Sequence, residues 1–227
     1  MESGILRLEL KGGISPLLLE NIFNRNWKED VKMKNIKGYI SREELMEAVE
    51  ILANPQDKFI LMAIYNGIAG KSNMSDLLGL KVEDVDFDSH TITIGDRVVN
   101  MDSDFEKITL DTIEENIYYL ESDSRHTNKD VEFNPESPYV IKVRPMASNL
   151  WGIQQLKYNG FRAKFKSIKT KCDLDISPSE LETSGIINEL LSEKEEWTVA
   201  DIQFALKIKN VSFNAFRIYS IMKEILK

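Results

Sequence analysis

The chain has few of the residues that build disulfides, metal centres or membrane spans. It contains one cysteine, Cys172, and two histidines, His90 and His126, among 227 residues. A single cysteine excludes an intramolecular disulfide and suits a reducing compartment, and the isolated histidines lack metal-ligand spacing. There is no run of about 18 apolar residues and no signal-peptide pattern. We therefore expect a cytoplasmic protein with no cofactor, no metal and no membrane partner.

The chain also has no excess of basic residues. It carries 29 Lys and Arg against 37 Asp and Glu, which gives a formal net charge of -8. Nonspecific nucleic-acid affinity comes mostly from Lys and Arg that displace counterions, so the balance counts against a dominant phosphate-binding surface. A local basic face can still suffice. An apolar share of 42% predicts a soluble, globular chain with one large core or two modest domains.

The stretch from residue 176 to residue 184 reads Ile-Ser-Pro-Ser-Glu-Leu-Glu-Thr-Ser. Ser177 can cap a helix, Pro178 suits the first helical position, and Glu180 completes a capping box. The spacing resembles the phage integrase, or tyrosine recombinase, family. That family has roughly I-S-P-H-D-L-R-H-T, then an L-G-H-S-S turn, then a helix with the nucleophilic tyrosine. Here the turn falls on residues 208–212 and the tyrosine on Tyr219.

The resemblance places other residue types at the family's catalytic positions. The two arginines correspond to Asn73 and Glu182, the two histidines to Ser179 and Asn210, and Tyr219 alone keeps its type. Attack by a phenol on a phosphodiester needs cationic donors for the phosphoryl oxygens and an acid for the leaving hydroxyl. A carboxylate at position 182 would repel the phosphate. We therefore expect a recombinase fold without its chemistry, a pseudoenzyme.

Two other cations lie near the implied catalytic positions. Residues 67–80 resemble the family's G-L-R-x-S-E-L-L-x-L motif, and Lys71 within them could offer a charge through a rearranged loop. Lysine lacks the planar fork that grips a phosphate, however. Arg97 lies nearest the family's catalytic lysine, and Lys107 is the other cation on the predicted strands. An isolated arginine on such a sheet is more often a solvated surface residue.

The resemblance implies an α+β, mainly α-helical fold, with tyrosine recombinase catalytic-domain-like helices and a small three-stranded antiparallel sheet. The short β-branched segments 91–94, 97–99 and 107–110 predict the three strands. Residues 1–39 would be an N-terminal segment and linker, at most a remnant of a core-binding domain. Residues 40–227 would form the integrase-like catalytic-type domain. Capping patterns predict helices that begin near Ser41, Pro55, Asp111, Ser177, Thr198 and Ser212.

The strongest indication of nucleic-acid binding lies between residues 157 and 171. This stretch contains six Lys and Arg residues and no Asp or Glu. In helical register Arg162, Lys166 and Lys169 fall on one face, with Phe161 and Phe165 on a neighbouring side. A lysine-rich solvated helix is the alternative. The full set of candidate DNA-binding residues is Lys71, Arg97, Arg162, Lys164, Lys166, Lys169 and Lys171.

Three functions follow from these features. The first is a catalytically inactive, integrase-like protein of phage or mobile-element origin that binds double-stranded DNA as a regulator of transcription or accessory factor. It could act as a homo-oligomer or with a phage regulatory protein. The second is an active divergent recombinase that cleaves and rejoins DNA during integration through Tyr219, although Tyr219 also lies on an apolar stripe typical of a core tyrosine. The third is a protein-interaction module that does not bind DNA.

Overall fold

A computed structural model describes residues 36–70, 73–120, 130–194, 196–209, 211 and 213–226. Most of the predicted N-terminal segment lies outside these residues. So do Lys71, His126, Asn210 and Ser212. Within the described residues the fold is α+β and mainly helical, with a small three-stranded antiparallel sheet, as predicted. No helix in this described part is long and apolar enough to cross a membrane.

The first two described helices are α1 (Arg42–Ile51) and α2 (Pro55–Tyr65). The predicted capping box is present at α1, where Ser41 Oγ accepts from the Glu44 backbone N–H at 3.2 Å and the Glu44 carboxylate accepts from the Ser41 N–H at 2.8 Å. Helix α2 is apolar on nearly every side, and residues 59–64 are fully buried. It is the central helix of the larger core, as its continuous apolar sequence predicts. A short helix, α3 (Ser75–Gly79), follows.

The antiparallel sheet consists of β1 (Val85–Asp86), β2 (Thr91–Ile94) and β3 (Arg97–Asn100), in that spatial order. Ile92 is paired with Val85 on one side and Val99 on the other. Strands β2 and β3 are joined by the two residues Gly95 and Asp96, and Gly95 has a φ of 56°. A tight two-residue hairpin needs such positive φ values, which suit glycine.

The predicted strand at residues 107–110 is wrong. These residues belong to α4 (Ser103–Glu114), which also contains the predicted helix start at Asp111. Asp102 caps the helix by accepting from the Phe105 N–H at 2.8 Å. Phe105, Ile108 and Thr112 are buried at helical spacing, so packing overrides the local β-preference of Ile-Thr-Leu. The segment after α4 forms a hairpin of β4 (Ile117–Tyr118) and β5 (Val131–Glu132).

Four helices make up the C-terminal part of the described chain: α5 (Tyr158–Lys171), α6 (Pro178–Glu193), α7 (Val199–Ile208) and α8 (Ala215–Ile225). The predicted capping box is present at Ser177, and the predicted cap at Thr198 is also present and forms a capping box with Asp201. The last helix is capped by Asn214, not by the predicted Ser212. The Asn214 side-chain oxygen accepts from the backbone N–H groups of residues 216 and 217.

Two hydrophobic clusters form the core. The larger surrounds α2, and the smaller lies between α6, α7 and α8 and includes Ile36. Helix α6 joins the two clusters because it packs closely against α2 at Gly185. A Cβ atom added there would overlap the carbonyl oxygen of Tyr65. The N-terminal turns of α6 are therefore fixed relative to the centre of the molecule.

Candidate functional site

A cleft of about 1080 Å³ lies where α3, the β2–β3 hairpin, the start of α6 and the end of α7 meet. Three of the implied catalytic positions line it, namely Asn73, Ser179 and Glu182. Asn73 lies just before α3, in a left-handed conformation with a φ of 52°. Ser179 and Glu182 are three residues apart on α6, so they face the same way. Residues from distant parts of the chain thus converge as the resemblance implies.

The other two implied catalytic positions are Asn210 and Tyr219. Asn210 lies outside the described residues, but Lys209 and Val211 on either side of it both line the cleft. Tyr219 does not line the cleft. It is half-buried on α8, packs against the smaller hydrophobic cluster, and has the Lys223 Nζ atom 5.5 Å from its ring centroid. Tyr219 thus packs against the smaller cluster and is not among the residues that line the cleft with Asn73, Ser179 and Glu182.

Both cations that line the cleft are paired with carboxylates. The Arg97 guanidinium donates to Asp76 Oδ2 at 3.1 Å, and both side chains are about one-third exposed. Lys209 is paired with Glu189 and lies 3.7 Å from Glu193. Among the described residues, the cleft thus offers no uncompensated positive charge to a phosphate group.

The charge at Glu182 depends on pH near neutrality. Burial raises the pKa of Glu182 to about 7; the positive charge of Arg97 opposes this shift and the carboxylate of Asp76 adds to it. Desolvation disfavours the ionised form of a carboxyl group, which explains the direction. Glu182 can exchange a proton near pH 7, but its ionised form would repel a phosphodiester.

A second, shallower groove of about 710 Å³ lies between α5 and the start of α6. Arg162, Lys166 and Lys169 all line it, as their helical spacing predicts. Phe161 and Phe165 are buried beneath these cations, with their ring centroids 5.7 Å apart. The two phenylalanines belong to the core, so they anchor the basic face and are not available for stacking on a ligand.

Lys164 and Lys171 do not line this groove, and their role as DNA contacts stays a prediction. The Lys164 Nζ atom is 2.9 Å from Asp57 Oδ1 and 3.8 Å from the Tyr118 ring centroid, and its side chain is only 15% exposed. The Lys171 Nζ atom is 3.9 Å from Asp57 Oδ2. Desolvation lowers the pKa of Lys164, and Asp57 opposes that shift. Positions 164 and 171 lie on the side of α5 roughly opposite Arg162 and Lys166, since each residue advances about 100° around the helix.

Asp76, which pairs with Arg97 in the cleft, is not among the predicted site residues. Its position in the G-L-R-x-S-E-L-L-x-L pattern is an available signal, because Ser75-Asp76-Leu77-Leu78 matches S-E-L-L in that motif. The site residues predicted in this motif are Asn73, at the arginine position, and the nearby Lys71. Within the described ranges, no group of three or more His, Cys, Asp or Glu side chains could hold a metal ion.

Comparison with known proteins identifies the class to which this fold and cleft belong. Residues 39–226 match the family model described as "MrpR, C-terminal catalytic domain", so the chain belongs to that family. The structure is similar to the crystal structure of XerA recombinase, with a TM-score of 0.53 and 17% identity, over 80% of this chain and 59% of that one. The predicted phage integrase, or tyrosine recombinase, fold is thereby confirmed.

A sequence relative is also found in a prophage. The chain is 29% identical over 116 residues to the SPbeta prophage-derived uncharacterized protein YopR of Bacillus subtilis (strain 168). This similarity covers 48% of the present chain and 35% of YopR. The matched region therefore spans about a third of the length of this curated relative.

Proposed function

We propose that the protein binds double-stranded DNA without cleaving it and acts as a regulator or accessory factor of a phage or mobile element. The proposal rests on a difference in available positive charge between the cleft and the basic groove. Arg97 in the cleft is held by Asp76, whereas Arg162 and Lys166 are exposed along the basic groove. The exposed cations of the groove favour binding to a phosphate backbone, whereas the described residues of the cleft offer no unpaired cation to activate a phosphodiester.

The composition of the cleft supports the absence of cleavage. Loss of one donor to a developing oxyanion costs about 10² to 10³ in rate. Asn73 and Ser179 can donate hydrogen bonds but carry no charge, and Glu182 is a carboxyl group, so several cationic donors are missing at once. Tyr219 also lies away from the cleft lining. These features argue against the active-recombinase alternative.

The geometry of α5 supports duplex binding. The three cations of the groove span residues 162 to 169, which corresponds to about 10 Å along a helix at 1.5 Å per residue. The major groove of B-DNA is about 12 Å wide and admits an α-helix. The phage or mobile-element setting is supported by the similarity to the prophage-derived YopR.

Binding can be tested by fluorescence anisotropy with labelled duplexes of about 30 base pairs, covering the DNA that flanks the protein's own gene, at about 50 and 200 mM salt. We expect affinity to fall steeply with salt. Lys166→Glu should weaken binding to every duplex and reduce the slope of log affinity against log salt by about 1. Lys107→Glu is the matched control, because Lys107 is exposed on α4, outside the groove. No binding to any duplex at the lower salt would contradict the proposal.

The absence of cleavage needs a separate test. We expect no covalent adduct when the protein is incubated with a nicked duplex that traps strand-cleavage intermediates. Tyr219→Phe should bind DNA as the unmodified protein does. A covalent protein–DNA adduct that disappears in Tyr219→Phe would establish the active recombinase instead.

A protein-interaction role is a second candidate, because large apolar side chains are exposed on two helices that pack together. Phe204 and Ile208 on α7 are 67% and 70% exposed, and Phe216 on α8 is 66% exposed. Exposed apolar clusters mark interaction surfaces in soluble proteins. Sedimentation velocity tests for a homo-oligomer. Concentration-dependent assembly that Phe204→Ser abolishes would favour a homo-oligomer, and assembly insensitive to this change would place the interface elsewhere.

A further inference from the structure

The turn that precedes α5 presents apolar side chains from a strained backbone. Leu150 and Trp151 have φ values of 50° and 58°, although neither is glycine. This left-handed conformation is unfavourable for residues with a Cβ atom and, where it persists, is a reason to look for function. The side chains of Leu150 and Trp151 are nevertheless 56% and 65% exposed. The backbone strain is therefore not explained by burial of these side chains.

Hydrogen bonds fix the turn in this conformation. The Asn149 side-chain oxygen accepts from the backbone N–H groups of Met146 and Gly152 at 2.9 and 3.0 Å. The Asn149 side-chain amide donates to the Arg144 carbonyl oxygen at 2.7 Å. A further bond runs from the Asn134 side-chain amide to the Trp151 carbonyl oxygen at 2.9 Å. The turn thus holds Leu150 and Trp151 outward on a defined backbone.

The charges around the turn indicate the kind of molecule that binds to it. Residues 137–172 contain no Asp or Glu and include eight Lys and Arg, in a chain with 37 acidic residues. Arg144 before the turn and Lys157 after it are both exposed. Lys157 directly precedes α5, so the turn and this helix belong to one segment without acidic residues. The exposed cations Arg144, Lys157, Arg162 and Lys166 make the surface of this segment complementary to a polyanion.

We propose that the turn formed by residues 146–153 is a second DNA contact, in which Leu150 and Trp151 lie in the minor groove beside the major groove entered by α5. The proposal rests on the proposed function. Trp151 and Tyr158 are seven positions apart in the chain, so the turn lies within about 24 Å of the start of α5. This is less than one helical turn of duplex, about 34 Å. Apolar side chains that pack against sugars and base steps are a known means of minor-groove binding.

Tryptophan accessibility tests the proposal directly. The chain has three tryptophans, and Trp27→Phe with Trp197→Phe leaves Trp151 as the single fluorophore. Fluorescence anisotropy of a labelled, mixed-sequence duplex is first used to find the concentration at which binding saturates. Acrylamide quenching is then measured with and without the same unlabelled duplex. We expect the quenching constant of Trp151 to fall at least threefold on binding.

The matched control keeps Trp197 and replaces the other two tryptophans. Trp197 is half-buried, and its indole N–H lies 2.9 Å from the carbonyl oxygen of Leu190. Its quenching constant should not change when DNA binds. If the duplex binds and Trp151 remains as accessible as in the free protein, the proposed contact is wrong.

Affinity and salt dependence give a second readout. Trp151→Ala should lower duplex affinity about five- to tenfold, because its apolar contact in the minor groove is lost. The salt slope should not change, because no cation is removed, whereas Lys166→Glu should reduce it. Trp151→Phe should retain most of the affinity. Circular dichroism melting checks that the variants fold, which the exposure of Trp151 leads us to expect.

The outcomes separate this inference from the proposed function. Wild-type affinity in Trp151→Ala, with the Lys166→Glu effect intact, would leave DNA binding in place and refute the minor-groove contact. Absence of any duplex binding at low salt would refute both. Reduced affinity together with protection of Trp151 from acrylamide would establish the contact.

Discussion

Glu182→Gln should stabilise the folded protein at alkaline pH and have little effect at acid pH. Burial raises the pKa of the Glu182 carboxyl group from 4.5 to about 7, so ionisation is less favourable in the folded state than in the unfolded state. A shift of this size corresponds to roughly 3 kcal/mol for a fully desolvated group. The side chain is only partly buried and solvent screens its charge, so we expect about 1.5 kcal/mol. Glutamine keeps the shape and cannot ionise.

The sign of the pH dependence follows from the direction of the shift. Below pH 4.5 the carboxyl group is protonated in both states and contributes no difference. Between 4.5 and about 7 the unfolded state loses its proton first, so wild-type stability falls relative to Glu182→Gln as the pH rises. Above about 7 the full difference is present. The gain in the variant should therefore appear across this window and then remain constant.

Urea unfolding of both proteins from pH 4.5 to 8.5 measures this difference. Only Glu182 differs between the two proteins, so the titration of Glu115, whose pKa burial also raises to about 7, largely cancels in the comparison. Glu114→Gln serves as the control, because Glu114 is exposed on α4. A variant that is less stable than wild type at pH 8, or a difference independent of pH, would refute the reasoning.

Three further predictions concern the cleft, the core and the basic helix. Glu182→Arg alone should not restore cleavage of a nicked duplex on a denaturing gel, because the neighbouring catalytic positions remain neutral. Gly185→Ala should lower the free energy of urea unfolding by about 2 kcal/mol, since the added methyl group collides with the Tyr65 carbonyl oxygen. Lys164→Met should destabilise by about 3 kcal/mol because a buried ion pair is broken. Lys166→Met should stay within about 0.5 kcal/mol of wild type.

Each of these predictions has an outcome that would contradict it. Strand cleavage by Glu182→Arg would mean that one charge suffices. Wild-type stability in Gly185→Ala would mean that α6 does not approach α2 as closely as described. Equal effects of methionine at positions 164 and 166 would place both lysines in the same environment, contrary to the pairing of Lys164 with Asp57.

Features set by neighbouring residues could be predicted from the sequence. The capping boxes predicted at Ser41 and Ser177 need only residues three positions apart, and both are present, as is the predicted cap at Thr198. The alignment of Ser179 and Glu182 on one face follows from helical periodicity once the start of α6 is known. Local sequence patterns were thus enough to predict most helix starts and part of the cleft lining.

Features that depend on distant partners could not be predicted in this way. The sequence grouped Lys164 with Lys166 as cations of one stretch, although Asp57 from α2 determines the role of Lys164. Arg97 could be placed near the cleft, but its pairing with Asp76 depends on how the β2–β3 hairpin packs against α3. The strand predicted at residues 107–110 failed because burial of one face of α4 outweighs intrinsic β-preference.

The contrast between local and distant interactions also explains how the fold can persist when the residues at the catalytic positions differ from those of the family. The cleft owes its shape to the α6 capping box and to the close approach of Gly185 to α2, and neither needs a catalytic side chain. A carboxyl group at position 182 costs stability only when it ionises, and Asp76 balances the charge of Arg97. The basic face of α5 is anchored separately by Phe161 and Phe165. Replacing the catalytic residues therefore need not disturb the surface that we propose binds DNA.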